Sequence, residues 1–403
     1  MSIDWRPKNH FHLTISYSLR YDKKYVQKGD YSMIYLDYAA NTPCNPEVLN
    51  TYIEITQKYF ANPNASYLLG YECANLIDVA STHIKDYFKQ EEIIYTSGAS
   101  EANNLALKGI ASRYKNRGKH IIIGALEHNS ITAVAMSLVQ NGYQVEVAPI
   151  NMNGLIDLNK LNAMIRDDTI LVSIVAVDSE LGIVQPINEI AKLCHQRSHC
   201  YYHCDASQAV GKVDLDYSDV DLLTITPHKF YGLNNIGALL KKQNVGLVAQ
   251  IEGGNSTSMY RSGTPMTNAI LAFDKAVEKL KEINQEIIQK HHQNLIEFFK
   301  SYPDIQMNST KASCPHIINI SIEGVLGNQM MEKLADHEIY VSTKSSCCPR
   351  NKPSKSIYYL TKSKARANSS LRISLSHLTC DEEIEQFKQT FDQIYKEVKY
   401  GEI

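Results

Sequence analysis

Residues 222–232 read Leu-Leu-Thr-Ile-Thr-Pro-His-Lys-Phe-Tyr-Gly, an apolar run followed directly by a proline, a histidine and a lysine. A run that is apolar on both faces is typical of a strand in a parallel sheet that helices cover on both sides. In such sheets, sites form beyond the carboxyl ends of the strands. The stretch therefore predicts a buried strand that brings Lys229 to a functional site.

More apolar, β-branched runs precede this stretch and alternate with segments of helical periodicity. They are residues 92–96, 119–124, 169–177 and 200–205. The alternation predicts an α/β fold with a mostly parallel sheet. Polar loops at 97–100, 127–128 and 178–182 follow three of these runs, so we expect them to meet at one edge of the sheet.

The length of 403 residues exceeds the roughly 250–300 at which a single core stops growing, so two domains are expected. A long helical stretch at 269–300 precedes a second α/β region that ends in a helix at 381–398. The predicted parts are an N-terminal extension at 1–32 with one strand at 11–19, a segment at 33–50 that joins the small domain, a large domain at 51–280 and a small C-terminal domain at 281–403.

The composition is that of an ordinary globular protein, with 44% hydrophobic residues, 21% charged residues and a formal net charge of −2. It has no global bias towards nucleic acid or membrane, and no apolar stretch approaches the ~18 residues of a membrane span. Nine scattered cysteines with no secretory signal before them fit a reducing compartment. We therefore expect a cytoplasmic protein without direct membrane or nucleic-acid partners.

Residues at the predicted sheet edge suit pyridoxal 5′-phosphate. The segment 96–101 ends a strand and begins a helix, whose first amides and dipole suit a phosphate group. Asp205 can pair with a pyridinium nitrogen, with Gln208 beside it to reach the ring hydroxyl, and Lys229 supplies an amine for a Schiff base. The plain alternatives are a helix cap at Ser100 and a strand-end turn at Asp205.

His128 follows a predicted parallel strand, where it could stack on a ring and move protons, although a lone histidine is more often structural. The cysteines and histidines at 194–204 look like a zinc cluster at first sight. Strand alternation, however, sends Cys200 and Cys204 to one face and His203 to the other. No metal site is expected.

Cys347 and Cys348 are the remaining candidates for chemistry. They lie in a polar, partly cationic stretch that favours thiolate over thiol, as a nucleophilic cysteine requires. An inert surface pair would have the same sequence context.

These motifs together resemble the cysteine desulfurases of the NifS/IscS type, within the class V aminotransferase group of fold-type I pyridoxal phosphate enzymes. The resemblance runs from residue 34 to the C-terminus. It rests on YLDYAANTP at 35–43, TSGASE at 96–101, EH at 127–128, DASQ at 205–208, HK at 228–229, RSGT at 261–264, SSC at 345–347 and LRIS at 371–374. It implies a three-layer fold with a large, mostly parallel-sheet domain and a smaller C-terminal α/β domain.

The resemblance also implies roles for the matching residues. Lys229 would form the Schiff base, Asp205 and Gln208 would tune the ring, and His128 would stack on it. Arg372 would clamp the substrate carboxylate, with Asn41 and Ser179 also at the substrate. The phosphate would be held by Ala99, Ser100, Thr226 and His228, together with Thr264 of the second subunit of a homodimer.

The implied reaction removes sulfur from L-cysteine, releases L-alanine and leaves a persulfide on the nucleophile, Cys347. The sulfur would then pass to an acceptor protein, such as an iron–sulfur scaffold or a carrier for tRNA thiolation. The spacing of 25 positions from Cys347 to Arg372 is similar to the longer-loop branch of the family, which hands sulfur to separate proteins. Because the nucleophile must visit both cofactor and acceptor, its loop is expected to move.

Four residues depart from the family's pattern. Ser179 stands where an asparagine usually contacts the ring hydroxyl and the substrate carboxylate, so its shorter side chain puts substrate preference in question. Pro227 and Lys344 replace glycines, and Lys344 would stiffen and charge the cysteine loop. Cys348 could act as a resolving thiol or a relay.

Two other functions remain open: a related pyridoxal phosphate lyase or transaminase, such as a selenocysteine lyase, and a non-catalytic adaptor that binds through residues 1–30.

Residues 348–371 also contain six basic residues and no acidic one, which fits either a solvated loop or a docking surface for an acidic partner or RNA.

Overall fold

The computed structural model describes residues 33–254, 256–344 and 352–401 of the chain. The N-terminal extension with its predicted strand at 11–19, and both Cys347 and Cys348, lie outside these described residues.

The strands are β1 (Ile34–Tyr35), β2 (Glu92–Thr96), β3 (His120–Gly124), β4 (Gln144–Ala148), β5 (Thr169–Ser173), β6 (Tyr201–Asp205), β7 (Leu222–Ile225), β8 (Gly237–Lys241), β9 (Ile305–Met307), β10 (Ile317–Ile322), β11 (Ile339–Tyr340) and β12 (Ser370–Ser374). The helices are α1 (Pro46–Lys58), α2 (Leu68–Tyr87), α3 (Ala99–Tyr114), α4 (Asn129–Gln140), α5 (Leu158–Met164), α6 (Ile187–His195), α7 (Thr267–Glu278), α8 (Gln285–Lys300), α9 (Gly327–Asp336), α10 (Lys355–Thr361), α11 (Lys364–Asn368) and α12 (Asp381–Tyr400).

The larger sheet has the strand order β2-β8-β7-β6-β5-β3-β4. Its strands run in one direction except β8, which is antiparallel to both of its neighbours, β2 and β7. The carboxyl ends of the other strands therefore meet at one edge, and the predicted α/β fold with a mostly parallel sheet is confirmed. The apolar-run pattern missed β4, an edge strand that is largely exposed, and β8.

Helices cover this sheet on both faces, because each face carries apolar side chains. Buried residues of α2, α6 and α7 pack on one face, and those of α3 and α4 pack on the other. Cys194, Cys200 and Cys204 belong to the first of these cores, whereas His203 contacts Ser173 Oγ at 2.8 Å and Thr224 Oγ1 at 3.0 Å. This is the alternation expected from the sequence.

The C-terminal part contains an antiparallel sheet in the order β12-β10-β9 and a parallel pair, β1 with β11. Through β1, residues near the start of the described chain join this part: Ile34 and Leu36 share a core with Phe387 and Phe391 of α12. The domain limits given above stay predictions. None of the helices in the described part of the chain combines the length and the apolar character needed to cross a membrane.

The single helical stretch predicted at 269–300 is wrong. α7 ends at Glu278, a 3₁₀ turn occupies Lys279–Glu282, and α8 begins after Asn284. The Asn284 side chain accepts hydrogen bonds from Glu286 N at 3.0 Å and Ile287 N at 3.3 Å, which is how an N-cap residue starts a new helix.

Candidate active site

A cavity of about 630 Å³ lies at the edge of the larger sheet, where β2, β6 and β7 end and α3 begins. We call it the strand-end pocket. It is lined by most of the predicted site residues: Ala99, Ser100, His128, Ser179, Asp205, Gln208, Thr226, His228, Lys229 and Arg372. Asn41 does not line it, and its neighbours Ala39 and Ala40 do. Thr264 is exposed and also lies outside the lining, and Cys347 lies outside the described residues.

One end of the strand-end pocket is formed by the first turn of α3. This helix of 16 residues begins at Ala99, after Gly98, and no side chain caps its N-terminus. The first backbone amides are therefore available to an anion. Gly237 of β8 passes so close that a Cβ atom there would lie 2.7 Å from the carbonyl carbon of Gly98, which is why this position requires glycine.

Thr226 and His228 lie beside this anion site. Thr226 Oγ1 donates to the Ile236 carbonyl at 3.0 Å, so it accepts from Nδ1 of His228 at 2.9 Å. Burial, followed by the charges of Lys229 and Lys212, lowers the pKa of His228 to about 4. The imidazole is thus neutral at pH 7, and a phosphate beside it would favour the protonated, donating form.

Lys229 ends a short 3₁₀ turn, Pro227–Lys229, directly after β7. Its Nζ donates to the carbonyl oxygens of Ala39 at 2.9 Å and Ala40 at 2.6 Å, so its amine is held at the pocket wall. Pro227 fits here because the first position of a helical turn needs no N–H donor. Gly232 is needed beside it, since a Cβ atom there would lie 2.3 Å from Pro227 Cβ.

A second lysine lies behind Lys229. Lys212 is 8% exposed, and its Nζ donates to the Lys229 carbonyl at 3.2 Å. Burial, and then the charge of Lys229, lowers the pKa of Lys212 to about 7. Lys212 therefore supports the backbone that carries Lys229 without holding a full second positive charge beside it at neutral pH.

A hydrogen-bonded chain joins Asp205 to His128 through a buried asparagine. Asn103 Nδ2 donates to Asp205 Oδ2 and to Ser130 Oγ, both at 2.8 Å. Nδ1 of His128 accepts from the Ser130 amide at 3.2 Å and contacts Ser130 Oγ at 2.9 Å, so the neutral ring carries its proton on Nε2. Burial lowers the pKa of His128. The Ser207 amide donates to the other Asp205 oxygen at 3.0 Å.

Arg372 is 1% exposed and reaches the strand-end pocket from β12. Its Nη2 pairs with Asp37 Oδ1 at 2.6 Å, and its Nη1 donates to the Ser179 carbonyl at 2.8 Å. The contact with position 179 is made by the backbone, which any residue would supply. The change from asparagine to serine therefore leaves this support of the arginine in place.

The strand-end pocket fits pyridoxal 5′-phosphate. The uncapped N-terminus of α3 suits the phosphate, and the Asp205 carboxylate suits a pyridinium nitrogen. Polar atoms in the lining also lack a partner within the described residues: Gln208 Oε1, Ser207 Oγ and Arg372 Nε. Buried polar atoms are seldom left unpaired, so these three atoms suit a polar ligand.

The aminotransferase class-V family matches residues 34–387, and the chain belongs to this family. Its relatives include the cysteine desulfurase IscS of Proteus mirabilis (strain HI4320), 38% identical over 366 residues that cover 87% of this chain and 90% of the relative. A solved NifS-like protein is 25% identical, with a TM-score of 0.83, and the match covers 90% of this chain and 99% of that one. SspA, solved in complex with cysteine, is 30% identical in sequence, with a TM-score of 0.76. The match covers 86% of this chain and 100% of that one. The resemblance to NifS/IscS-type proteins is confirmed.

Sequence reasoning missed Asn103, Lys212 and the pairing of Asp37 with Arg372. Asn103 had a usable signal, because it is a polar residue on a helix whose neighbours at 102 and 106 are apolar. Lys212 carried no local signal, and Asp37 lies in a quoted motif that does not indicate its partner, because Arg372 lies on another element of the fold.

Proposed function

We propose that this chain is a cysteine desulfurase that uses pyridoxal 5′-phosphate and carries sulfur from L-cysteine as a persulfide on Cys347. The observation that carries the proposal is the convergence of an amine, a carboxylate and an uncapped helix N-terminus in one cavity, at Lys229, Asp205 and Ala99. Similarity to IscS, and to SspA solved with cysteine, supports the substrate.

When bound, the cofactor supplies an electron sink for charge that develops at the amino-acid α-carbon. Lys229 would hold the cofactor covalently, and its Nζ could take up and return the proton at the substrate α-carbon. Asp205, whose oxygens are held by Asn103 and the Ser207 amide, would pair with the ring nitrogen of the cofactor. Arg372 would bind the substrate carboxylate with its Nε, which has no partner within the described part of the chain.

Cys347 Sγ then attacks the sulfur of the bound L-cysteine. A sulfur–sulfur bond forms, the carbon–sulfur bond breaks, and its electron pair stays on the substrate carbon. That carbon takes up a proton and leaves as part of L-alanine. No outside oxidant is consumed, because the carbon is reduced while the two sulfur atoms become a persulfide.

We further propose a homodimer in which the partner subunit's Thr264 contributes to the phosphate site. In support, Thr264 is exposed and does not line the strand-end pocket of its own subunit. Large apolar side chains are also exposed at Phe60 (77%) and Leu68 (74%), as at a surface that a second copy covers.

The acceptor in this proposal is a separate protein, an iron–sulfur scaffold or a thiolation carrier. It would approach by the basic segment after Cys347, in which Lys352, Lys355, Lys362 and Lys364 are exposed. A positive surface of this kind speeds encounter with an acidic partner.

The proposal is tested by replacing each thiol of the pair in the cofactor-loaded protein. Cys347→Ala should abolish persulfide formation and sulfide release from L-cysteine while the absorbance of bound cofactor stays normal. Cys348→Ala, the matched control, should keep sulfide release. Sulfide release by Cys347→Ala would point instead to a lyase, and a protein that binds no cofactor would point to an adaptor.

A further inference from the structure

Residues on both sides of the segment that contains Cys347 are held by side-chain hydrogen bonds. We call residues 342–344 and 352–356 the loop flanks. On the first flank, Lys344 is 8% exposed and donates from Nζ to the carbonyl of Lys352 on the second. The departure at position 344 thus ties the two flanks together, because a glycine could not make this bond.

The second flank is fixed to the loop after β5 by two serines. Ser354 Oγ donates to Glu180 Oε2 and accepts from the Ile357 amide at 3.1 Å, so it also caps α10. Ser356 Oγ donates to Asp178 Oδ1 at 3.1 Å. We call Asp178, Glu180, Ser354 and Ser356 the serine clasp. All four are less than 9% exposed.

The serine clasp has one feature that ties it to the reaction. Ser179, the residue between its two acidic members, accepts from Arg372 Nη1 through its carbonyl at 2.8 Å and lines the strand-end pocket. The Glu180 carbonyl is held in turn by Asn319 Nδ2 at 3.0 Å. The loop that supports the arginine is therefore the loop that anchors the flank beyond Cys347.

Because these hydroxyl and carboxyl groups are buried, the loss of any hydrogen bond of the serine clasp is costly. A buried hydroxyl or carboxylate that loses its partner costs about 1–3 kcal/mol, and hydroxyl-to-carboxylate bonds are stronger than neutral ones. Burial, and then the charge of Glu180, raises the pKa of Asp178 to about 7, so the two carboxyl groups depend on the donors around them. Ser354 follows Cys347 by seven positions, so the serine clasp fixes the chain close in sequence to the proposed nucleophile.

We propose that the serine clasp and Lys344 are positioning residues for the sulfur-transfer step, because they fix both flanks of the segment that contains Cys347 beside the loop that supports Arg372. The inference rests on the proposed function, in which Cys347 is the nucleophile. It assigns to Ser354, Ser356 and Lys344 a role in persulfide formation that is separate from binding the cofactor or the substrate.

The test compares Ser354→Ala, Ser356→Ala and Lys344→Met with Ser363→Ala in the cofactor-loaded protein. Ser363 is the matched control, because it caps α11 by accepting from the Arg366 amide at 3.3 Å and is not part of the serine clasp. Single-turnover persulfide formation on Cys347 is measured with mass spectrometry, and L-cysteine binding is followed by the change in cofactor absorbance.

The three variants should slow persulfide formation by about 10- to 100-fold, the scale expected when a reacting group is misplaced by about 1 Å. Their cofactor content, L-cysteine binding and KM should stay close to wild type, and Ser354→Thr, which keeps the hydroxyl, should recover most of the rate. Ser363→Ala should behave as wild type.

Equal rates for wild type and all three variants would overturn the inference, and so would rates that fall only in step with cofactor content or KM. Lys344 lies on the other flank, so the Lys344→Met variant still tests the inference if a serine variant does not fold. Failure of the proposed function would look different, since Cys347→Ala would then keep its activity whatever the serine variants do.

Discussion

The strand-end pocket and the loop flanks hold their functional groups by different means. In the pocket, backbone atoms do most of the positioning: the α3 amides, the Ala39 and Ala40 carbonyls on Lys229 Nζ, and the Ser207 amide on Asp205. At the loop flanks, the bonds come from side chains, those of Lys344, Ser354 and Ser356. If both proposals hold, cofactor chemistry depends on the fold, whereas sulfur transfer depends on a few replaceable side chains.

The largest loss of activity is expected when Lys229, which supplies the amine of the strand-end pocket, is replaced. Lys229→Ala should lose covalent cofactor binding and lower the turnover of L-cysteine by about 10³-fold or more, because a covalent and a proton-transfer role are lost together. Borohydride reduction followed by mass spectrometry checks the covalent link. Lys192→Ala, an exposed lysine on α6, is the control. A Lys229→Ala protein with normal turnover would remove the pocket from the mechanism.

Replacing Asn103, which supports Asp205 beside the pocket, should lower turnover less than replacing Lys229 does. It should lower turnover more than replacing Asn104, the neighbouring residue on α3. Asn103→Ala removes the donor to Asp205 and Ser130, so turnover should fall by about 10- to 100-fold, as for other residues that orient a reacting group. The cofactor absorbance should also shift, since the Asp205 carboxylate loses a hydrogen bond that holds it in position.

Asn104→Ala is the matched control for this change. Asn104 is adjacent, and its Nδ2 donates to the Ser100 carbonyl within α3 at 2.9 Å, outside the Asp205 to His128 chain. If the two alanine variants lose the same activity with unshifted spectra, the chain through Asn103 has no part in tuning the site.

Replacing Lys212 tests whether a buried positive charge behind the pocket lowers the stability of the folded protein. Its pKa is lowered to about 7, so the folded protein binds this proton less tightly than the unfolded chain does. The stability contributed by the neutral group is complete above the unfolded pKa and is lost as the pH falls through about 7. Lys212→Met should therefore stabilise the protein at about pH 6 by on the order of 3 kcal/mol, an advantage that shrinks as the pH rises towards 10.

The midpoint of urea unfolding, measured across this pH range, checks the expectation. The exposed Lys192→Met variant should show no such pH-dependent difference from wild type. A gain that is the same at every pH would mean that the extra methionine packing, and not the lysine charge, accounts for the effect.

The parts of this architecture that the sequence predicts are those with a local signature. Apolar runs identify β2, β3, β5, β6 and β7, and the residues at or just beyond their carboxyl ends include Ala99, His128, Asp205 and Lys229, which do line one pocket. The insertion of antiparallel β8 between β2 and β7 has no local signature. The break at Lys279–Glu282 did have a signal in Asn284, a residue type that caps helices, but the apolar helical spacing around it favours an unbroken helix.

Contacts between distant elements are what sequence reasoning could not supply. Asp37 meets Arg372, and Ser354 meets Glu180, across more than 170 positions of the chain. Nothing in the local pattern of either partner indicates the other. The departures at 179 and 344 could be seen in the sequence, but their consequences depend on which backbone or carbonyl lies beside them.

The smallest expected effect concerns the surface beside the loop flanks. Lys352, Lys355, Lys362 and Lys364 are exposed, so salt should weaken attraction between this surface and an acidic acceptor. Raising the salt from about 50 to about 300 mM should slow sulfur transfer to the acceptor protein by about 3- to 10-fold. Persulfide formation on Cys347 should hardly change, because the ion pair of Arg372 with Asp37 at the strand-end pocket is largely buried and therefore poorly screened.

Transfer to the acceptor and persulfide formation are therefore measured on the same sample at each salt concentration. The charge-reversed variant Lys362→Glu/Lys364→Glu should lower the salt dependence of transfer, whereas Lys192→Glu on α6 should leave it unchanged. A transfer rate that does not respond to salt would mean that the basic segment is an ordinary solvated surface. A parallel fall in both rates would mean that salt acts on the strand-end pocket itself. The proposal that the pocket and the basic surface serve separate steps would then be wrong.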